Sequence, residues 1–139
     1  MKLSTKSTYG LRAMLNIALG GDRGAVSITD IVKREGISSS YLEQLLNKLR
    51  REGLVKSVRG PDGGYVLARK PREITVGDVV KTLEGSMSPV HCAAAGGNLC
   101  KRHSGCVPKI VWQKLADSIS DCLESITLKD LCAEAKKVK

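Results

Sequence analysis

Apolar positions recur with a helical period three times in the first third of the chain. Between Thr5 and about Leu19, Tyr9, Ala13 and Ile17 form one row and Leu11, Met14 and Ala18 another, and Gly20-Gly21 closes the segment; this predicts an amphipathic helix. In SITDIVKREGISSSYLEQLLNKLRREGLV, Ser27 can cap a second helix whose apolar residues are Ile28, Ile31 and Val32 and whose end is marked by Gly36. A third helix is expected from about Ser39 to Glu52, with Leu42, Leu45, Leu46 and Leu49 turned inward and Gly53 as its stop. Two short helices joined by a tight glycine-containing turn mark a helix-turn-helix. After Gly53 the period falls to two. LVKSVRGPDGGYVLAR sets Val55, Val58, Tyr65 and Leu67 in two extended runs about Gly-Pro-Asp-Gly-Gly, which predicts a β-hairpin with basic residues at its base and tip. A hairpin appended directly to the second helix of the motif makes a winged helix-turn-helix.

Residues 74–85, ITVGDVVKTLEG, predict a further short helix that closes the compact domain near Gly85. From Pro108 to Leu128 the apolar set Trp112, Leu115, Ile119, Leu123 and Ile126 advances in steps of three and four, so one long helix with a continuous apolar stripe is expected. So short a chain leaves little to cover that stripe except a partner, and a homodimer formed by this helix follows. AEAKKVK at the end is polar and expected to fray. The fold class is therefore mainly α with a small β-wing. It divides into a winged helix-turn-helix over 1–85, a cysteine loop over 86–106, a dimerisation helix over 107–128 and a tail over 129–139.

Composition sharpens this picture in three ways. The 139 residues contain no Phe, one Trp and three Tyr, so the core must be aliphatic. Lys and Arg number 23 against 14 Asp and Glu, a net charge of +9 that favours a polyanionic partner, nucleic acid or an acidic membrane surface. In MKLSTKSTYGLRAMLNIALGG, Arg12 and Asn16 interrupt any apolar run, so neither a signal peptide nor a membrane span is expected and the chain is assigned to the cytoplasm. In that reducing setting its five cysteines read as thiols or metal ligands rather than disulfides.

The third helix begins SSSYLEQ and so presents Ser38, Ser39, Ser40, Tyr41, Glu43 and Gln44 at the end that enters the major groove of double-stranded DNA in this motif. Gln and Ser can hydrogen-bond base edges or phosphates; the Glu43 carboxylate repels phosphates but can accept from the cytosine amino group. Alternatively, Ser40 and Glu43 form an S-x-x-E capping box with no part in DNA binding. Arg59, beside the wing tip, is placed to reach a minor groove, and Lys48, Arg50, Arg51, Lys56 and Arg69 either meet phosphates or are ordinary solvated residues.

HCAAAGGNLCKRHSGC, residues 91–106, holds Cys92, Cys100 and Cys106 in the spacing C-x7-C-x5-C. The C-x2-C knuckle common in structural zinc sites is absent. Thiolates hold iron-sulfur clusters, and the small residues from Ala93 to Gly97 can wrap closely around a compact inorganic core. Three thiolates leave a fourth position open, for which His91 and His103 are candidates; the alternative is three reduced, unligated cysteines. Cys122 and Cys132 read as packing or surface thiols. No Ser-His-Asp set, carboxylate pair or nucleotide loop is visible, so an enzyme is not expected.

SYLEQL, LRREGLVKSVRGPDGGYVL and the three-cysteine loop, with MKLSTKSTYGLRAML, ITVGDVV and ITLKDL around them, resemble the IscR family of winged-helix regulators, whose relatives include NsrR, RirA and CymR; the resemblance covers nearly the whole chain. It implies a homodimeric transcription factor, a repressor of cluster-assembly genes in its cluster-bearing form, with crossed long helices and a 2Fe-2S cluster in the loop. It also implies that both forms bind DNA, with Glu43 separating two operator classes and Ser40, Tyr41, Gln44 and Arg59 among the DNA contacts. Lys109 stands where that family places a histidine ligand, and Thr8 where NsrR places an aspartate. The C-x7-C spacing also occurs in NsrR and RirA proteins, which leaves 4Fe-4S as the alternative cluster. Nitric oxide or iron-responsive regulation, or thiol-based redox control without a cluster, are the alternative functions.

Overall fold

The computed structural model describes residues 3–85 and 107–138, so Cys92, Cys100, Cys106, His91 and His103 lie outside the described residues. Among the described residues six α-helices and a two-stranded sheet follow in order: α1 (Thr5–Leu19), α2 (Ile28–Glu35), α3 (Ser39–Arg51), β1 (Val55–Val58), β2 (Gly64–Leu67), α4 (Val76–Glu84), α5 (Lys109–Glu124) and α6 (Leu128–Lys137). The mainly helical fold with a β-wing is the one expected from the sequence.

Local chemistry sets the boundaries. The hydroxyls of Ser4, Ser27, Ser38, Thr75 and Thr127 each accept a backbone N–H in the first turn of the following helix, satisfying one of its otherwise unpaired donors. Gly36 ends α2 at φ 66, a conformation that a side chain disfavours, and its N–H donates to the Val32 carbonyl at 2.9 Å. β1 and β2 pair antiparallel with Val55 opposite Leu67 and Val58 opposite Gly64. Val55 is buried but Val58 is 42% exposed, because positions three apart on a strand face opposite sides of the sheet.

The core is aliphatic. Met14 and Ile17 of α1, Ile31 of α2, Leu42, Leu45, Leu46 and Leu49 of α3, and Ile74 and Val79 around α4 are all essentially inaccessible. One buried polar residue, Asn16, joins α1 to α2: its amide donates to Glu35 Oε1 at 2.9 Å while its oxygen accepts from Arg34 Nη1 at 3.1 Å.

Two expectations for the C-terminal third are corrected. The apolar period continues through Ile126, but the helix stops at Glu124. Ser125 and Ile126 turn the chain so that it pairs with residues 74–76: Val76 N–H donates to the Ile126 carbonyl at 2.8 Å and Leu128 N–H to the Ile74 carbonyl at 2.9 Å. Most of the stretch expected to fray is α6, started by a reciprocal cap between Thr127 and Asp130. Leu128 is fully buried in the core, with Leu131 packed beside it. Burial of the first turn outweighs the polar character of the end.

Candidate nucleic-acid interface

The Gly36-Ile37-Ser38 turn sets the start of α3, and its helical period does the rest. Four leucines point into the core, which leaves Ser39, Ser40, Glu43, Gln44, Asn47 and Lys48 exposed. Residues three and four apart share a face, so Ser40, Glu43, Gln44 and Asn47 form one polar strip along the N-terminal half of the helix. The capping residue is Ser38, whose Oγ accepts from Tyr41 N–H at 3.2 Å. Ser40 and Glu43 therefore lie inside the helix and form no capping box. Glu43 makes no hydrogen bond or ion pair among the described residues, and its carboxylate faces solvent.

Tyr41 occupies a different environment. Half-buried, it stacks edge-on against Tyr9 of α1 at a centroid distance of 6.3 Å, and its hydroxyl shares a 2.9 Å hydrogen bond with Thr5 Oγ1. The Arg12 guanidinium lies 5.6 Å above the Tyr9 ring and 3.6 Å from Glu35. The tyrosine thus ties the N-terminal end of α3 to the first turn of α1. Sequence reasoning missed Thr5, since no local pattern links positions 36 residues apart.

The wing is anchored at its base. Tyr65 exchanges two backbone hydrogen bonds with Val26, at 2.8 and 2.9 Å, which clips β2 against the segment leading into α2. Gly64, at φ 151, approaches the Val26 backbone so closely that a Cβ would collide with its carbonyl. At the tip, Gly60 adopts φ 109 and its carbonyl accepts from Gly63 N–H at 3.0 Å. Arg59 is exposed beside this turn. Arg50, Lys56 and Arg69 converge on a shallow cleft of about 590 Å³ floored by Gly53 and Val55, where α3 meets the wing, and Lys48 and Arg51 are exposed nearby in sequence. An exposed polar strip on a helix that runs on into a cation-bearing, anchored hairpin can read base edges while the cations hold phosphates.

Thr8 is exposed on α1 and Lys109 is the first residue of α5. Among the described residues no three His, Cys, Asp or Glu side chains come together to hold a metal ion. Cys122 is exposed on α5, whereas burial pushes the half-buried Cys132 thiol above its ordinary value against the opposing pull of Lys136. No helix among the described residues is long and apolar enough to cross a membrane.

Residues 3–134 match the family described as Rrf2, iron-dependent transcriptional regulator. The chain is 42% identical over 131 residues to the HTH-type transcriptional regulator IscR of Escherichia coli, an overlap covering 94% of this chain and 80% of that one. Among solved structures, the IscR of T. potens is 44% identical and superposes with a TM-score of 0.82, covering 100% of this chain and 91% of that one. CymR (YrzC), the global cysteine regulator of B. subtilis, is 38% identical with a TM-score of 0.81, covering 96% of this chain and 98% of that one.

Proposed function

The chain belongs to the Rrf2 family of iron-dependent transcriptional regulators, and from that premise we propose that it is a homodimeric DNA-binding sensor of iron-sulfur cluster status. It is a winged-helix regulator and not an enzyme. The observation that carries the DNA-binding part of this reading is the strip of Ser40, Glu43 and Gln44, exposed on a helix whose cap is already supplied by Ser38 and which runs on into a wing bearing the exposed Arg59. Ser40 and Gln44 meet DNA with the helix N-terminus, Glu43 selects among base edges, Tyr41 contributes from its tethered position, and Arg59 enters a minor groove. Ser38 serves as a cap and phosphate-facing hydroxyl at the same end.

For the cluster, the donor chemistry is suitable. Cys92, Cys100 and Cys106 place three thiols within fifteen residues, and soft thiolates suit iron-sulfur chemistry better than the carboxylate and hydroxyl groups elsewhere in the chain. These three residues would hold a 2Fe-2S or 4Fe-4S cluster, which when bound supplies redox and iron sensitivity. His91 and His103 are the nearest candidates for the remaining ligand.

The dimer rests on α5, which buries none of its sixteen residues in the single chain and exposes Ile110, Val111, Trp112 and Leu115 on its first half. Such a stripe is stable in water when a second copy covers it. The similarity to IscR proteins favours the genes of cluster assembly as the regulated set.

Anaerobic purification, with visible absorption and iron and sulfide analysis, tests the ligand assignment. A coloured protein is expected, and Cys92→Ala, Cys100→Ala and Cys106→Ala should each lose colour and iron. A colourless, iron-free wild type after reconstitution would instead favour a regulator whose thiols act without a cluster.

A further inference from the structure

The N-cap and the first residue of α1 are each hydrogen-bonded to another helix. Ser4 donates twice to the Glu84 carboxylate, from its backbone N–H at 2.6 Å and from its hydroxyl at 2.5 Å, while its Oγ also accepts from Lys6 N–H at 3.2 Å. The next residue, Thr5, holds the Tyr41 hydroxyl at 2.9 Å. Glu84 is the last residue of α4, so α4, α1 and α3 are joined through two consecutive residues.

Each link constrains the next. A carboxylate that accepts two hydrogen bonds from one residue fixes both the position and the direction of the backbone there. Ser4 is also the N-cap of α1, which leaves the first turn little freedom to rotate. Thr5 is β-branched and has few rotamers, so the direction of its hydroxyl follows its backbone. The Tyr41 ring is held edge-on by Tyr9, one turn along the same helix, so its hydroxyl has no second position that keeps both contacts.

We propose that Glu84 is a positioning residue for DNA recognition, acting through Ser4 and Thr5 on Tyr41 to set the N-terminal end of α3. It rests on α3 as the DNA-reading helix and adds a residue on another element that touches no base. Glu84 is followed by Gly85 at φ 84 and, eight residues later, by Cys92, so the relay begins where the chain leaves α4 for the cysteine-bearing stretch.

The test is a double-mutant cycle on full-length protein, read as affinity for the duplex that wild type enriches from a randomised DNA pool. Thr5→Val removes the hydroxyl at constant shape and is expected to weaken binding about fivefold, the worth of one hydrogen bond. Thr5→Ser is expected to restore it. Glu84→Gln should weaken binding in the same direction and add nothing in the Thr5→Val background, with thermal unfolding of each variant showing that the fold is retained. Independent losses that multiply, a Glu84→Gln variant that binds as wild type does, or failure of Thr5→Ser to restore binding would each overturn the relay. A wild type that enriches no duplex would overturn the DNA-reading assignment of α3 itself, and the relay with it.

Discussion

Helices α3 and α5 are both amphipathic in sequence, yet they end in opposite situations. The thirteen residues of α3 bury four leucines against α1, α2 and α4, so the apolar stripe is satisfied within the chain and the polar face is left for a partner. The sixteen residues of α5 bury none; their C-terminal end meets α4, where Glu124 accepts from Thr75 Oγ1 at 3.0 Å and lies 3.6 Å from Lys81 Nζ, while Trp112 and Leu115 remain more than a third exposed. Periodicity predicts that a helix has an apolar face but does not say whose side chains will cover it. In one helix the uncovered face is polar and in the other it exposes apolar side chains, which on the proposed reading meet DNA and a second copy of the chain respectively.

Substitutions on the two helices should therefore act on different observables. Leu46→Ala, at a fully buried position of α3, should cost about 2–5 kcal/mol of folding stability by chemical denaturation, because a cavity replaces packed atoms. The paired change Trp112→Ser and Leu115→Ser should leave a folded chain but raise the dimer dissociation constant by about thirtyfold or more in sedimentation experiments, as expected for central aromatic and aliphatic anchors. If the pair instead unfolded the chain without a monomeric intermediate, the difference between the two helices would collapse.

On the polar face the effects should be smaller and confined to binding. Glu43→Ala should reduce discrimination between duplexes that differ at one base pair by about 1–3 kcal/mol in competition titrations, with unchanged thermal unfolding. The smallest effect concerns pH. Hydrogen bonds from Ser4, with Lys6 adding attraction, hold the Glu84 carboxyl below the ordinary carboxylate range. The folded chain thus binds this proton more weakly than the unfolded one. Its contribution to stability is complete above the ordinary carboxylate value and is lost as pH falls from there through the folded value. Comparing wild type with Glu84→Gln by denaturation across the acid range should show their difference shrinking in that window.

Local signals made much of this molecule legible. Ser27, Gly36 and Gly53 act within a turn of where they sit, and the Gly-Pro-Asp-Gly-Gly run can hardly be anything but the tip of a hairpin. Three consecutive serines were harder, since any could cap α3; the geometry of the preceding turn selects Ser38 and leaves Ser40 inside the helix, its hydroxyl 3.5 Å from that of Ser38. The break between α5 and α6 was hidden because Ile126 keeps the apolar step, even though Thr127 and Asp130 carry a cap of their own. Pairing of Ile126 and Leu128 with residues 74–76 is a long-range event that periodicity does not encode. The Thr5–Tyr41 and Ser4–Glu84 contacts were invisible for the same reason, so the site's polar strip could be read from sequence and its bracing could not.

The most direct measurement is a DNA titration on one anaerobic sample, before and after its iron is removed, using the duplex that the wild-type protein enriches. A cluster-sensing regulator should show a change in affinity or operator preference that tracks loss of colour, with Cys92→Ala binding like the iron-free form throughout. Identical binding curves before and after iron loss would contradict cluster sensing and leave a winged-helix regulator that answers to another signal.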